Sequence, residues 1–248
     1  MRVKKLDWRV KLGLGLVLLS AALYVVHWLI YRDPKHIFIY LLGDIAFIPI
    51  DVLLVTLVIH ELLATRERRA RLHKMNMAIG TFYSEVGAQL LGALGRMDRD
   101  NSGLREELAE AGKWTDEQFK AAHAHVRGYQ AQVASTPEAL AGLRSYLLGK
   151  RQFLLGLLQN PNLLEHDAFT SLLWAVFHLT DELAHRRDVR ALSEADRAHL
   201  EGDIKRAYGL LVAQWVDYMR HLKASYPYLF SLAARTNPFD PAATPEVK

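Results

Sequence analysis

The chain has 248 residues, of which 51% are hydrophobic and 23% are charged, and its formal net charge is +4. It contains no cysteine, which excludes disulfides, zinc–thiolate sites, iron–sulfur clusters and cysteine nucleophiles. This length can hold a membrane anchor and one soluble domain with its own core. The basic residues gather beside the apolar N-terminal segments and are matched by acids elsewhere, so the charge does not indicate a nucleic-acid partner.

Two apolar segments, residues 12–31 and 37–64, predict two transmembrane helices within an anchor at residues 1–65. The first is uncharged over a length that crosses a ~30 Å hydrocarbon core at about 1.5 Å per residue. A cleaved signal peptide is the alternative, with Ser20, Ala21 and Ala22 as the cleavage site. Because the apolar run continues past these residues and a second run follows, we expect an uncleaved anchor with the lipid bilayer as its partner.

The distribution of positive charge predicts the orientation of this anchor. The short loop between the segments carries only Arg32 and Lys35, whereas both outer flanks are strongly basic. By the positive-inside rule, both termini are expected in the cytoplasm. The flanking residues are Arg2, Lys4, Lys5, Arg9 and Lys11 before the first segment, and Arg66, Arg68, Arg69, Arg71 and Lys74 after the second.

The second segment contains Asp44, Pro49 and Asp51, which are unusual residues for a lipid-spanning helix. Proline disfavours helical geometry in the residue before it, so the segment is either one helix kinked at Pro49 or a re-entrant piece followed by a spanning helix. In an unbroken helix Asp44 and Asp51 share a face, and in an oligomer they could form acidic rings of the kind that cation pores use. The alternative is an interfacial position or pairing with nearby cations.

Residues 66–248 predict a cytoplasmic, all-α domain, because no part of them alternates with period two. A helical stalk is expected at 66–97. Thr115 followed by Gln118 has the pattern of a capping box, and Thr136-Pro137 and Ser193 also have the character of helix starts. The further helices are predicted at 104–111, 116–133, 137–158, 163–187 and 194–224.

Small residues recur on one side of the stalk and form what we call the small-residue face. Such a face lets a second helix approach closely, which favours either an oligomer interface or close packing inside the same chain. Glycine costs about 1 kcal/mol of helix stability relative to alanine, so its repetition indicates a packing role. The face comprises Gly80, Ser84, Gly87, Ala88, Gly92 and Gly95.

One helix face carries His178, Glu182 and His185, at spacings of four and three residues. Imidazole and carboxylate groups are ligands for zinc or iron, so the three residues are candidate metal ligands. A solvated polar face explains the same pattern without a metal. Di-iron sites of the ferritin type need a Glu-x-x-His motif from each of two helices, and only Glu182 and His185 provide one.

The C-terminal stretch contains Tyr226–Phe230 and Asn237–Pro241 and is too rich in aromatic residues for a disordered tail. We expect it to pack on the domain, with docking of a partner as the alternative. Together with Gly43–Pro49 and Phe82–Gly87, these stretches make the chain resemble an uncharacterised family of bacterial inner-membrane proteins. The resemblance implies a bacterial membrane location and no site residues.

The sequence therefore predicts an all-α inner-membrane protein with two transmembrane helices and a cytoplasmic helical bundle. Its predicted role is non-enzymatic: a homo-oligomeric scaffold or a regulatory partner of another protein, without a cofactor. The first alternative is a cation channel or sensor that uses Asp44 and Asp51. The second is a metal-binding protein or metalloenzyme built on His178, Glu182 and His185.

Overall fold

The computed structural model describes residues 8–161, 163 and 166–247. Within these residues the fold is all-α, as predicted, and its single β-bridge joins Asp98 to Val133. The chain divides into two compact units, residues 1–68 and 69–248, and the boundary lies inside one long helix. Of the basic residues on which the orientation was predicted, Arg2, Lys4 and Lys5 lie outside the described residues.

The first unit contains helix α1 (Trp8–Tyr31) and most of helix α2 (Pro34–Phe82). The turn between them is shorter than predicted because Pro34 starts α2, and proline suits a first helical position. Arg32 takes a positive φ of 53°, and Asp33 Oδ1 accepts a hydrogen bond from the amide of Lys35. These two residues interrupt the helical backbone between the apolar helices.

Both helices of this unit expose apolar side chains along their length. The segments Lys11–Tyr31 and Ile37–Glu67 are long and apolar enough to cross a membrane by length and composition. Helix α2 continues through Pro49, so the structure has one helix here and not the predicted alternative of a re-entrant piece followed by a second helix. Asp44 and Asp51 are both exposed on this continuous helix.

The second unit begins with the end of α2, followed by a π-helical turn (Tyr83–Gly87) and helix α3 (Ala88–Gly95). The predicted stalk is therefore helical, but its hydrogen-bond pattern changes at this turn. The remaining helices are α4 (Ser102–Ala109), a 3₁₀ turn (Glu110–Lys113), α5 (Asp116–Gly128), α6 (Pro137–Leu158), α7 (Asp167–His185), α8 (Glu194–Ser225) and α9 (Pro227–Arg235).

The sequence located several helix starts correctly. Thr115 and Gln118 form the predicted capping box, and the Ser193 hydroxyl accepts a hydrogen bond from the amide of Asp196 at the start of α8. For the helices predicted after the stalk, two bounds differ from the prediction by four residues or more, and the others by no more than two. Helix α5 ends at Gly128 and not at 133, and α7 begins at Asp167 after a cap provided by the His166 ring.

Helix α8 lies at the centre of the second unit and packs against α3, α5, α7 and α9, while α6 packs against α7. Its buried side includes Tyr208, Trp215 and Met219. The predicted packing of the C-terminal stretch holds in part: Phe239 is buried against the Trp215 ring, and Asn237 is buried as well. Tyr228 of α9, in contrast, is exposed.

Candidate metal centre

Helices α7 and α8 are consecutive, antiparallel helices, and each carries a histidine followed four residues later by an acid. His178 and Glu182 lie on α7, and His199 and Asp203 lie on α8. A spacing of four places both members of a pair on one helix face. The apolar side chains beside them, including Leu179 and Ile204, are fully buried, so core packing fixes how the two polar faces meet.

The four side chains converge; we call them the metal cluster. Asp203 Oδ2 lies 3.4 Å from His178 Nε2 and 3.5 Å from His199 Nε2. The Glu182 carboxylate lies 3.8 Å from His178 Nε2 through Oε1 and 3.7 Å from His199 Nε2 through Oε2. One ligand atom each from Glu182, His199 and Asp203 lies within 4.8 Å of the other two, which is compatible with a shared metal ion.

Asp203 is the most informative member of the metal cluster because its side chain is only 3% exposed. Its Oδ1 accepts a hydrogen bond of 2.9 Å from Arg206 Nη1. Its Oδ2 is buried and accepts no hydrogen bond from any described residue. Both imidazoles lie within ion-pair distance of this oxygen, but neither forms a hydrogen bond with it. A buried carboxylate oxygen without a donor is costly, and a bound cation removes that cost.

Glu182 is held by Arg186, the residue that directly follows α7. Arg186 Nη1 donates to Glu182 Oε2 at 2.6 Å, and this hydrogen bond lowers the pKa of the Glu182 carboxyl. The same guanidinium also binds Asp196 at the start of α8. Arg186 therefore ties the two helices together beside the metal cluster, keeps Glu182 ionised and leaves Oε1 available to a ligand.

The predicted ligand His185 does not join the metal cluster. Its Nδ1 lies 2.8 Å from the backbone carbonyl oxygen of Asp181, and its side chain is exposed. The sequence prediction missed His199 and Asp203, although the signal was present. A His-x-x-x-acid pattern occurs twice, once on each of two consecutive helices. The prediction included only the first copy, His178 and Glu182.

The small-residue face packs largely inside its own unit. A Cβ atom on Gly80 would touch the Tyr218 ring, and one on Gly95 would lie 3.3 Å from the Tyr208 hydroxyl. Gly87 is buried, and a Cβ there would lie 2.6 Å from Tyr83 Cδ1. Ala88 and Gly92 are half-buried, and Ser84 is exposed. The geometry therefore favours the alternative of close packing within the chain.

Two family matches cover most of the sequence. Residues 71–235 match the family described as "Uncharacterized protein MJ1433, C-terminal helical domain", and residues 3–63 match "MJ1433, N-terminal helical domain". A curated relative from Methanocaldococcus jannaschii, named "Uncharacterized protein MJ1433", is 41% identical over 229 residues, which are 92% of each chain. This chain belongs to the MJ1433 family. No solved structure matches it.

Membership of the MJ1433 family agrees with the predicted resemblance to an uncharacterised helical family. The predicted bacterial character is not supported, because the curated relative is archaeal. All four residues of the metal cluster fall within the part that matches the C-terminal helical domain. The membrane-length segment Lys11–Tyr31, and nearly all of Ile37–Glu67, fall within the part that matches the N-terminal helical domain.

Proposed function

We propose that this MJ1433-family chain is a membrane-anchored protein whose C-terminal helical domain binds a divalent transition-metal ion. The ligands are Glu182, His199 and Asp203, with His178 as a fourth. The observation that carries this proposal is the buried Asp203 Oδ2, which receives no hydrogen bond from the described residues and faces two imidazole nitrogens.

The donor set indicates the class of metal. Two imidazoles with two carboxylates suit zinc, iron or manganese better than calcium or magnesium, which favour oxygen ligands. The two carboxylates balance the charge of a divalent ion. His178 and His199 are 46% and 56% exposed, so the metal would lie close to solvent and could accept water or a substrate as a further ligand.

The membrane anchor is the second part of the proposal. Exposed apolar helices of membrane length support two spanning segments, since such surfaces are not stable in water. The basic residues on the outer flanks support a cytoplasmic location for both termini and for the helical domain. The predicted role as a homo-oligomeric scaffold loses support from the small-residue face, because most of this face contacts its own chain.

Metal analysis of the purified full-length chain in detergent tests the metal site directly. We expect one zinc or manganese ion per chain by mass spectrometry after loading and desalting. Asp203→Asn and His199→Ala should each weaken binding at least about tenfold, a typical loss for a ligand or its supporting partner. His185→Ala, on α7 with Glu182 but outside the metal cluster, is the matched control. Equal binding by all variants would exclude the site.

One observation still favours the cation-channel alternative. Helix α2 is continuous, and Asp44 and Asp51, seven residues apart, are exposed on it. Cation flux into liposomes should then decrease in Asp44→Asn and in Asp51→Asn. Flux that is absent from the native chain, or unchanged in both variants, would remove this alternative.

A further inference from the structure

A second polar feature lies along α7 and α8, beyond the metal cluster. It is a cleft of about 700 Å³ between α5, α7 and α8, and its lining includes Arg127, Lys205 and Gln214. Volumes of this size are typical of sites for small organic ligands. Nothing in the proposed metal site uses the cleft, so its role requires a separate explanation.

Residues with little or no side chain form much of the wall of the cleft. Gly202 and Gly209 line it from α8, and Ala168 and Ser171 line it from α7. A Cβ atom on Gly202 or on Gly209 would meet nothing within 4 Å. The two glycines therefore serve no close contact between helices. Because they carry no side chain, they leave the cleft open on the side of α8. Each glycine lowers helix stability by about 1 kcal/mol relative to alanine.

Two cations beside this space form no close ion pair with a described residue. Arg127 and Lys205 line the cleft, and neither forms a hydrogen bond or an ion pair with any described residue. Arg206 differs because its guanidinium binds Asp203. Unpaired cations in a concave site attract anions, and both lysine and arginine are common ligands of phosphate and carboxylate groups.

The acids of the cleft lie too far from these two cations for a close ion pair, although Arg127 interacts with Asp217 at longer range. Asp217 Oδ2 lies 3.4 Å from His123 Nε2, and burial raises the pKa of the Asp217 carboxyl. Asp167 is exposed in the first turn of α7, where a negative charge interacts favourably with the helix dipole. Neither acid forms an ion pair with Arg127 or Lys205.

The side chain of Gln214 independently indicates that the cleft is a ligand site. Its side chain lines the cleft and is 5% exposed, yet its buried Oε1 has no hydrogen-bond partner among the described residues. An unpaired buried amide oxygen costs about 1–3 kcal/mol. A bound molecule with a hydroxyl or amine donor would satisfy this atom while its anionic group contacts the cations.

From these features we infer that the cleft binds a small organic anion. The ligand carries a phosphate or carboxylate group that contacts Lys205 and Arg127, and a hydrogen-bond donor that reaches Gln214. Gly202 and Gly209 provide the room for its body. This site is separate from the metal cluster, so the inference does not depend on metal binding.

Two simple probes, inorganic phosphate and succinate, test the inference by calorimetry on the full-length chain in detergent at constant ionic strength. At least one probe should bind saturably, and the one that binds identifies the anionic group. Lys205→Met should raise its dissociation constant at least about tenfold, the equivalent of about 1.4 kcal/mol. Gly209→Leu should do the same, because it fills the cleft without changing any charge.

Three further measurements make the result decisive. Arg187→Met removes an exposed cation outside the cleft and should leave binding unchanged, and Gly149→Leu is the matched glycine control on α6. Asp203→Asn should retain binding, which separates the cleft from the metal site. The inference is overturned if neither probe binds saturably, if Gly209→Leu binds as well as the native chain, or if Asp203→Asn abolishes binding.

Discussion

Metal binding should raise the thermal stability of the helical domain, and Asp203→Asn should reduce that increase by about half or more. A ligand at a hundred times its dissociation constant stabilises a folded protein by about 2.7 kcal/mol. The second unit contains about 180 residues, so its entropy of unfolding near 60 °C is about 0.4 kcal/mol per kelvin. The native chain should therefore unfold about 7 °C higher with saturating zinc or manganese than with a chelator.

The stability of the metal-free variant distinguishes a metal ligand from a structural ion pair. Asparagine keeps the Oδ1 acceptor for Arg206 and removes a charge that is buried with one oxygen unpaired. The Tm of metal-free Asp203→Asn should therefore not fall below that of the metal-free native chain. Differential scanning calorimetry on the full-length chain in detergent measures both values, with His185→Ala as control. A lower metal-free Tm, or a metal-induced shift that is as large in Asp203→Asn as in the native chain, would refute the reasoning.

Three further variants and one control test the helical domain itself. Gly87→Ala should lower the free energy of unfolding by about 1–3 kcal/mol, because the new Cβ would crowd the Tyr83 ring. Ser84→Ala, exposed in the same turn, should change the free energy by less than about 0.5 kcal/mol, and equal effects in urea titrations would contradict this explanation. Asn237→Ala should cost about 1–3 kcal/mol, because the buried amide binds the carbonyl oxygens of Leu108 and Ala109; an unchanged urea midpoint would exclude that role. Asp217→Asn should raise Tm at pH 7, since burial raises the pKa of this carboxyl and its charge destabilises the folded state there. That gain should fade as the pH falls through the raised pKa towards the ordinary 3.8, and a pH-independent gain would argue against it.

Most helices could be predicted from the sequence because the residues that mark a helix start lie close together in the chain. Thr115 and Ser193 cap the helices that follow them, and proline stands in the first turn of α2, α6 and α9. The two membrane-length helices follow from apolar length alone. Capping signals act over three or four residues and each apolar run lies within one segment, so no information about distant contacts was needed.

Tertiary contacts explain why α5 ends before its predicted limit. The segment after Gly128 pairs with the loop that follows α3: the amide of Ala134 donates to the carbonyl of Met97, and the amide of Arg99 donates to the carbonyl of Gln132. The hydroxyl of Tyr129 also donates to the Asp98 carboxylate. These partners lie about thirty residues away, and they compete successfully with continuation of the helix.

For the metal cluster, the sequence determined which side chains share a helix face, and only the tertiary structure decided which faces meet. The spacing of four places His178 beside Glu182 and, separately, His199 beside Asp203. The rotation and register of α7 against α8 depend on how their apolar side chains pack, and side-chain periodicity does not specify either quantity. Core packing therefore selected Asp203 as a partner of His178 and left His185 facing solvent.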